Sequence, residues 1–408
     1  MPLKTSYFSK LDVNFLYIFG FSLFILFIPI SVSLRQLGIG ILFFAFLFDY
    51  IHFKKNSYNK ESFIKIDKKI LSLISFFIFI LLINVLFVSY YPSRSFEVFF
   101  RILWKAFPLF FIAARFVQRK SENIRYLSLI YVVSMTVQGI DAMYQLNTGV
   151  SFISGDPGSW ARRLTGTMGD PRVTVYIAIG LFAYFVLFDI FKKKFNYFTS
   201  FIITLCLSAP AILFLILSKT RSAWFGAIAF IIFLIIFKRK LILPFVFTII
   251  ILSSIFIKTI IARLNFETIA NDYRWDYWTI GLKLLKEKPF FGHGLGIYEK
   301  AFTKYGLIPP SPYEHVGHPH NIYIQLLVNV GLIGTAIFLL FVSLIFYFGI
   351  KRYLISKDYY IILTLGACLA YLVSAFSNAS FFLPWWLGLA MIMFGVSAGL
   401  TSTNNFKE

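Results

Sequence analysis

Four of the five histidines of this chain, His293, His315, His318 and His320, fall in one polar stretch between Ala262 and Gly334. Arg263, Arg274 and a cluster of Trp and Tyr share that stretch, and strongly apolar sequence flanks it on both sides. Titratable groups beside hydrocarbon suit a reaction on a lipid-borne polar substrate. His320 stands where the polar stretch gives way to the apolar run that begins at Asn321. Imidazole titrates near neutral pH and can take a proton from a sugar hydroxyl as that hydroxyl attacks, which makes His320 a candidate general base. A zinc site at His315, His318 and His320 is disfavoured. A single proline separates the last two, and no acidic or Cys ligand stands at a suitable spacing; no metal and no other cofactor is expected.

Two arginines offer the complementary chemistry. Arg221, in SKTRSAW, opens an apolar run, and its permanently charged guanidinium presents a fork of donors suited to phosphate oxygens. Snorkelling to the membrane interface is the alternative for an arginine at a helix end. Arg274 stands near the start of a predicted helix over 271–287, ended by Pro289 and Gly292, with Trp275, Trp278, Leu282 and Leu285 along one apolar edge. A second arginine at the mouth of a helical bundle fits a two-arginine clamp on a diphosphate. Such a clamp needs no metal, and the chain has no Asp-rich pair of the kind that holds a metal-bound diphosphate.

A glycine-rich loop, SGDPGSWARRLTGTMGDPR, adds Arg162, Arg163 and Arg172. Its glycines and its Asp170-Pro171 helix start fit an anion-binding nest equally with a plain tight-turn system. These three arginines are candidate substrate-binding residues, as are His318 and Asn321. Asn321 is also a natural cap for the helix that follows, in which Gly331 and Gly334 predict a small-residue packing face.

Membrane helices must position these groups. Hydrophobic residues make up 59% of the 408 positions, against ~45–50% for a soluble domain, and the mean hydropathy is +0.77. The chain therefore reads as an all-α polytopic membrane protein. Its formal charge of +21 does not indicate nucleic-acid binding, because the Lys and Arg residues fall mainly in short blocks between apolar runs. Cys206 and Cys368 lie inside apolar runs and give no disulfide or metal pattern.

With ~20 apolar residues needed per span, about twelve spans are predicted, near 13–32, 36–53, 70–88, 98–114, 126–146, 173–190, 198–217, 223–237, 241–260, 321–348, 360–376 and 381–400. The first span has no small-residue cleavage site after it and is expected to stay as a helix. The division expected is a transmembrane bundle of about nine helices over 1–260, a catalytic loop over 261–320, and about three further helices over 321–408. Basic blocks at 54–69, 115–125, 192–194, 238–240 and 351–357 recur at every second loop, which places them and both termini in the cytoplasm. The polar stretch then faces outward. Near the outer interface, Glu97, Arg101 and Lys105 at successive i,i+4 spacings predict an ion-pair ladder, in preference to a substrate-binding role. Gln138, Asp141 and Gln145 predict a polar face turned either to a water-filled cavity or to a neighbouring helix.

At these residues the chain resembles the bacterial O-antigen ligase and polymerase superfamily of membrane glycosyltransferases. That family carries a His, then Asn, Ser or Gln, nine residues, Gly, two residues and Gly; His320, Asn321, Gly331 and Gly334 fit without a gap. Arg221 looks like the family's arginine at the outer start of a helix, Arg274 like the one opening its periplasmic helix, and KEKPFFGHGLG is similar to the turn that follows.

The resemblance implies transfer of a glycan from undecaprenyl diphosphate to an acceptor at the periplasmic face of the inner membrane. In the ligase branch the acceptor is lipid A-core oligosaccharide. His320 would deprotonate the acceptor, while Arg221 and Arg274 would stabilise the charge developing on the diphosphate. A single displacement would invert the anomeric centre, since no carboxylate is placed as an obvious nucleophile. A polymerase or a protein-glycosylating relative would keep the same three residues. A transporter or flippase would instead show interrupted helices and polar sites near the bilayer midplane.

Overall fold

The structure is a computed structural model that describes residues 12–56, 62–120, 122–157, 163–170, 173–307, 309, 317–377 and 381–402. It is all-α among those residues. In hydrocarbon every backbone N–H and C=O must be satisfied within its own segment, so long apolar runs become helices. The chain is a multi-pass membrane protein of this kind, and eight helices among the described residues are long and apolar enough to cross a bilayer.

In order, the helices are α1 Val13–Phe27, α2 Val32–Asn56, α3 Lys68–Ile83, α4 Pro92–Val98, α5 Trp104–Arg119, α6 Asn123–Thr148, α7 Thr174–Lys192, α8 Tyr197–Leu217, α9 Arg221–Ile255, α10 Ile257–Leu264, α11 Phe266–Ala270, α12 Arg274–Glu287, α13 Tyr298–Lys304, α14 Ile322–Ser356, α15 Tyr359–Ser374 and α16 Pro384–Ser402. Each predicted span has a helical counterpart, though not always a single straight one. The run expected at 98–114 begins in a π-helical turn, Phe99–Leu103, between α4 and α5. The runs at 223–237 and 241–260 share the long α9, which breaks at Lys238 (φ −145°, ψ 44°) inside the 238–240 basic block, and the short α10.

Helices α7 and α16 are buried on nearly every face and form the centre of the bundle. Around them α5 lies along α16, α9 along α15, and α14 against α3. The polar stretch supplies the short helices α11, α12 and α13, and α12 packs across the start of α14 through Tyr277, Ile280, Gly281 and Leu284. The apolar edge predicted for α12 faces the other way: Trp275 and Leu282 are each 49% exposed.

The expected ion ladder is half formed. Glu97 accepts from Arg94 at 2.6 Å and from Arg101 at 2.9 Å, whereas Lys105 donates to the Gln36 side chain at 3.1 Å. At the opposite end of these helices, buried Asp49 pairs with Arg115 at 2.7 Å and with Arg119, tying α2 to α5.

Candidate active site

The scaffold of the site is an interlock between the turn after α12 and a break in α14. At Gly331 the helix leaves helical geometry (φ 68°, ψ −171°). The turn at 288–294 lies against the break: Leu332 N–H donates to Pro289 O at 2.8 Å and Ile333 N–H to Phe290 O at 3.2 Å. In return His293 N–H donates to Val328 O at 2.8 Å and Gly294 N–H to Asn329 O at 3.1 Å. Asn84, from the end of α3, donates its amide to Phe291 O at 2.8 Å and Asn329 O at 2.9 Å. A side chain on Gly331 would collide with the Phe290 carbonyl, and one on Gly292 would stand 2.6 Å from Val328 O. The small-residue helix face predicted for Gly331 is therefore a backbone docking point instead, because the left-handed φ and the approaching carbonyl both require glycine there.

His293 is buried beneath this turn. Its Nε2 is 2.7 Å from Leu284 O, which can only accept, so Nε2 carries the proton and Nδ1 accepts from the Tyr90 hydroxyl at 2.6 Å. Burial, with Lys288 and Lys304 nearby, lowers its pKa. His293 is thus a neutral brace.

Four arginines converge beyond the other end of α12. Arg221, the first residue of α9, and Arg274, the first of α12, both donate to one oxygen, Oδ2 of Asp272; the Arg274 contact is 3.0 Å. The three side chains are largely buried, at 12% exposure for Arg221 and Asp272 and 24% for Arg274. Asp272 Oδ1 accepts the Arg274 backbone N–H at 3.1 Å, which fixes the carboxylate at the start of α12. Arg163 Nε donates to Ser218 O at 2.9 Å, and its Nη2 donates to Lys219 O at 3.2 Å and Thr220 Oγ1 at 2.9 Å. Lys219, in the left-handed region at φ 56°, also accepts from Arg263 Nε at 3.4 Å. Arg163 and Arg263 therefore grip the turn that delivers Arg221. Burial, then the charges of Arg263 and Arg274, push Arg163 down to about 10; burial, then Arg221 and Arg274, lower Arg263.

Tyr273 connects this cluster to the candidate base. The Arg274 guanidinium lies 5.5 Å from the Tyr273 ring centroid, and the His320 ring lies 6.2 Å from the same ring. His320 also stacks on Tyr277 at 6.3 Å and sits 4.4 Å from the His318 ring. Its backbone is held at φ 52° between two anchors. Trp278 Nε1 donates to Pro319 O at 3.0 Å, and Asn321 Oδ1 caps α14 by accepting from Tyr323 N–H at 2.9 Å and Ile324 N–H at 3.1 Å. The buried Asn321 thus has its carboxamide oxygen committed to the cap, and the geometry gives it a positioning role.

Side chains of α6 anchor the described part of the glycine-rich loop. Gln145 Oε1 accepts from Thr165 N–H at 2.9 Å and Gly166 N–H at 3.2 Å, and Gln138 Oε1 accepts from Thr167 Oγ1 at 2.9 Å. Asp141 accepts from Ser151 Oγ at 2.8 Å and Ile153 N–H at 3.1 Å. The amides of Ile153, Thr165 and Gly166 are thereby taken by α6, and this described part of the loop is built as a turn system. The polar face of α6 serves that loop, rather than a water-filled cavity or a second helix. Arg162, Arg172 and His315 lie outside the described residues.

A cavity of about 620 Å³ opens beside the arginines. Arg221, Asp272 and Arg274 form its polar end, and Phe225, Trp275, Trp278, Leu339, Leu372 and Phe376 line its apolar length. Tyr323 and Leu339, on either side of the break in α14, both line it. Exposed Phe225, Leu339 and Phe376 at its edge present it to lipid.

Of the sequence candidates, Arg221, Arg274, Arg163, His318 and His320 come into one neighbourhood, with Arg163 as a brace and Asn321 as a cap. Asp272 and Tyr273 escape a sequence reading because a single carboxylate or ring in NDYRWDY carries no periodic signal. Their one clue is adjacency to Arg274. No curated protein matches the chain. Residues 206–339, which carry Arg221, Asp272, Arg274, His320, Gly331 and Gly334, match the family described as O-antigen ligase.

Proposed function

We propose that this protein is an O-antigen ligase of the bacterial inner membrane, moving a glycan from undecaprenyl diphosphate to lipid A-core oligosaccharide at the periplasmic face. The observation that carries the proposal is the cavity itself: an apolar trough open to lipid that ends at two convergent, largely buried guanidiniums. A polyprenyl chain would lie in the trough and its diphosphate would sit against Arg221 and Arg274, whose planar forks match paired phosphate oxygens. In such a dry, preorganised setting, charge developing on the leaving diphosphate is stabilised strongly.

The acceptor hydroxyl would approach from the His320 side of Tyr273. His320 would take its proton as the oxygen attacks the anomeric carbon and the carbon–oxygen bond to the diphosphate breaks, inverting that centre. His318, 4.4 Å away, would help shape the acceptor's approach. The alternation of basic blocks supports a topology with 261–320 on the periplasmic side and the termini in the cytoplasm.

Polymerisation of repeat units, or glycosylation of a protein hydroxyl, would use the same donor site. Purified protein given a lipid-diphosphate glycan together with lipid A-core, a second carrier-bound glycan, or a Ser/Thr peptide separates the three. Label on lipid A-core is the expected result; label on the carrier-bound glycan or the peptide assigns the other branches, and none on any acceptor overturns the proposal.

A further inference from the structure

We infer that Asp272 is the resident counter-ion of the diphosphate site: its carboxylate holds the place that the diphosphate takes, and the two exchange when donor binds. This rests on the assignment of Arg221 and Arg274 to the diphosphate. The geometric basis is that one atom, Asp272 Oδ2, receives donors from both guanidiniums at once. Two arginines brought from α9 and α12 to one point repel unless an anion stands between them. Arg163 and Arg263 add to that repulsion: burial first, and then the positive charge of neighbouring arginines, lowers the pKa of each. Among the described residues Asp272 is the carboxylate that pairs with Arg221 and Arg274, so without donor it keeps the pair convergent.

A phosphate oxygen seeks the same donors in the same plane. The Arg221 Nη2 and Arg274 Nη1 hydrogens cannot serve carboxylate and phosphate fully together, and an anion seated beside an unmoved Asp272 would face a like charge in a poorly solvated pocket. The diphosphate therefore displaces the carboxylate. Asp272 lies in the short link between α11 and α12, outside either helix, so its side chain can turn away by giving up its one bond to the α12 backbone, from Arg274 N–H. Arg274 Nε, buried and without a partner among the described residues, gives the incoming anion a further donor. When the diphosphate leaves, the carboxylate returns. It thereby limits how tightly the product carrier is held.

Asp272→Asn keeps the size and removes the charge. The full-length protein in detergent is titrated with inorganic pyrophosphate while its thermal midpoint is followed, beside an Arg221→Lys/Arg274→Lys double variant. Without ligand, Asp272→Asn is expected to melt below wild type, because the arginines lose their counter-ion. Pyrophosphate should then raise its midpoint more than it raises that of wild type, with an affinity about tenfold tighter, the worth of roughly one hydrogen bond to a charged group. An affinity equal to or weaker than wild type would mean that Asp272 stays on the arginines with the anion bound, and would overturn the exchange. Loss of pyrophosphate binding in the double-lysine variant supports the parent assignment whichever way Asp272→Asn behaves; unchanged binding there overturns the assignment and the exchange together.

Discussion

The Phe290 carbonyl stands where a side chain on Gly331 would begin, so the turn after α12 and the break in α14 are locked together by the absence of one methyl group. Ile333 N–H, freed by the break, donates to that same Phe290 carbonyl at 3.2 Å. Backbone geometry alone thus explains the need for glycine at position 331. It fixes where α12, and with it Arg274, lies relative to His320.

Gly331→Ala should therefore destabilise the protein by roughly 2–4 kcal/mol, combining a strained left-handed φ with a steric clash. Gly40, in the interior of α2 with open space around it, is the control. Gly40→Ala should be neutral or stabilising by up to ~1 kcal/mol. Thermal midpoints measured at matched detergent and lipid would show the contrast, and equal behaviour of the two variants would remove the docking role of Gly331.

Arginine geometry makes a second prediction. Arg221→Lys and Arg274→Lys preserve charge but lose the fork, and each should reduce transfer by roughly 10–100-fold while the protein still folds. Rates on a lipid-diphosphate donor, with circular dichroism as the folding check, decide it. Near-normal transfer in both would reassign these side chains to membrane anchoring.

The neighbouring histidines separate by chemistry. His320→Ala should lower turnover by roughly 10²–10⁴-fold with donor affinity largely kept, whereas His318→Ala should cost far less. Transfer rate and donor affinity are measured on the same preparations. A dead His318→Ala beside an active His320→Ala would move the base two residues upstream.

His293 predicts a pH dependence of stability. Its folded pKa is lowered from 6.5 by burial and by the charges of Lys288 and Lys304, so the unfolded chain takes up the proton first. Its contribution is present above about pH 6.5 and is lost as the pH falls below that toward the folded value. Midpoints followed from pH 8 to pH 5 should decline through this window. In His293→Gln, already less stable at pH 8, the decline should be shallower; an unchanged slope would show that other groups set it.

Much of this protein is written locally. Apolar runs long enough to cross a bilayer forced helices wherever they occur, since a lipid environment leaves the backbone no other partner, and each predicted span has its helical counterpart. Arg221 and His320 stood out as candidates because each marks a junction between polar and apolar sequence, Arg274 because it opens an amphipathic helix, and His320, Asn321, Gly331 and Gly334 because of their fixed spacing. Other features depended on contacts between residues remote in sequence, which no periodicity encodes. Arg163 became a brace because the carbonyls of Ser218 and Lys219 met it, and Asp141 became a loop anchor because Ser151 folded back onto it. Gly331 became a docking point because the Phe290 carbonyl arrived there. Only the tertiary structure could place Asp272 between two arginines from different helices, because convergence of like charges on one carboxylate is decided by how helices pack and not by what precedes or follows it in the chain.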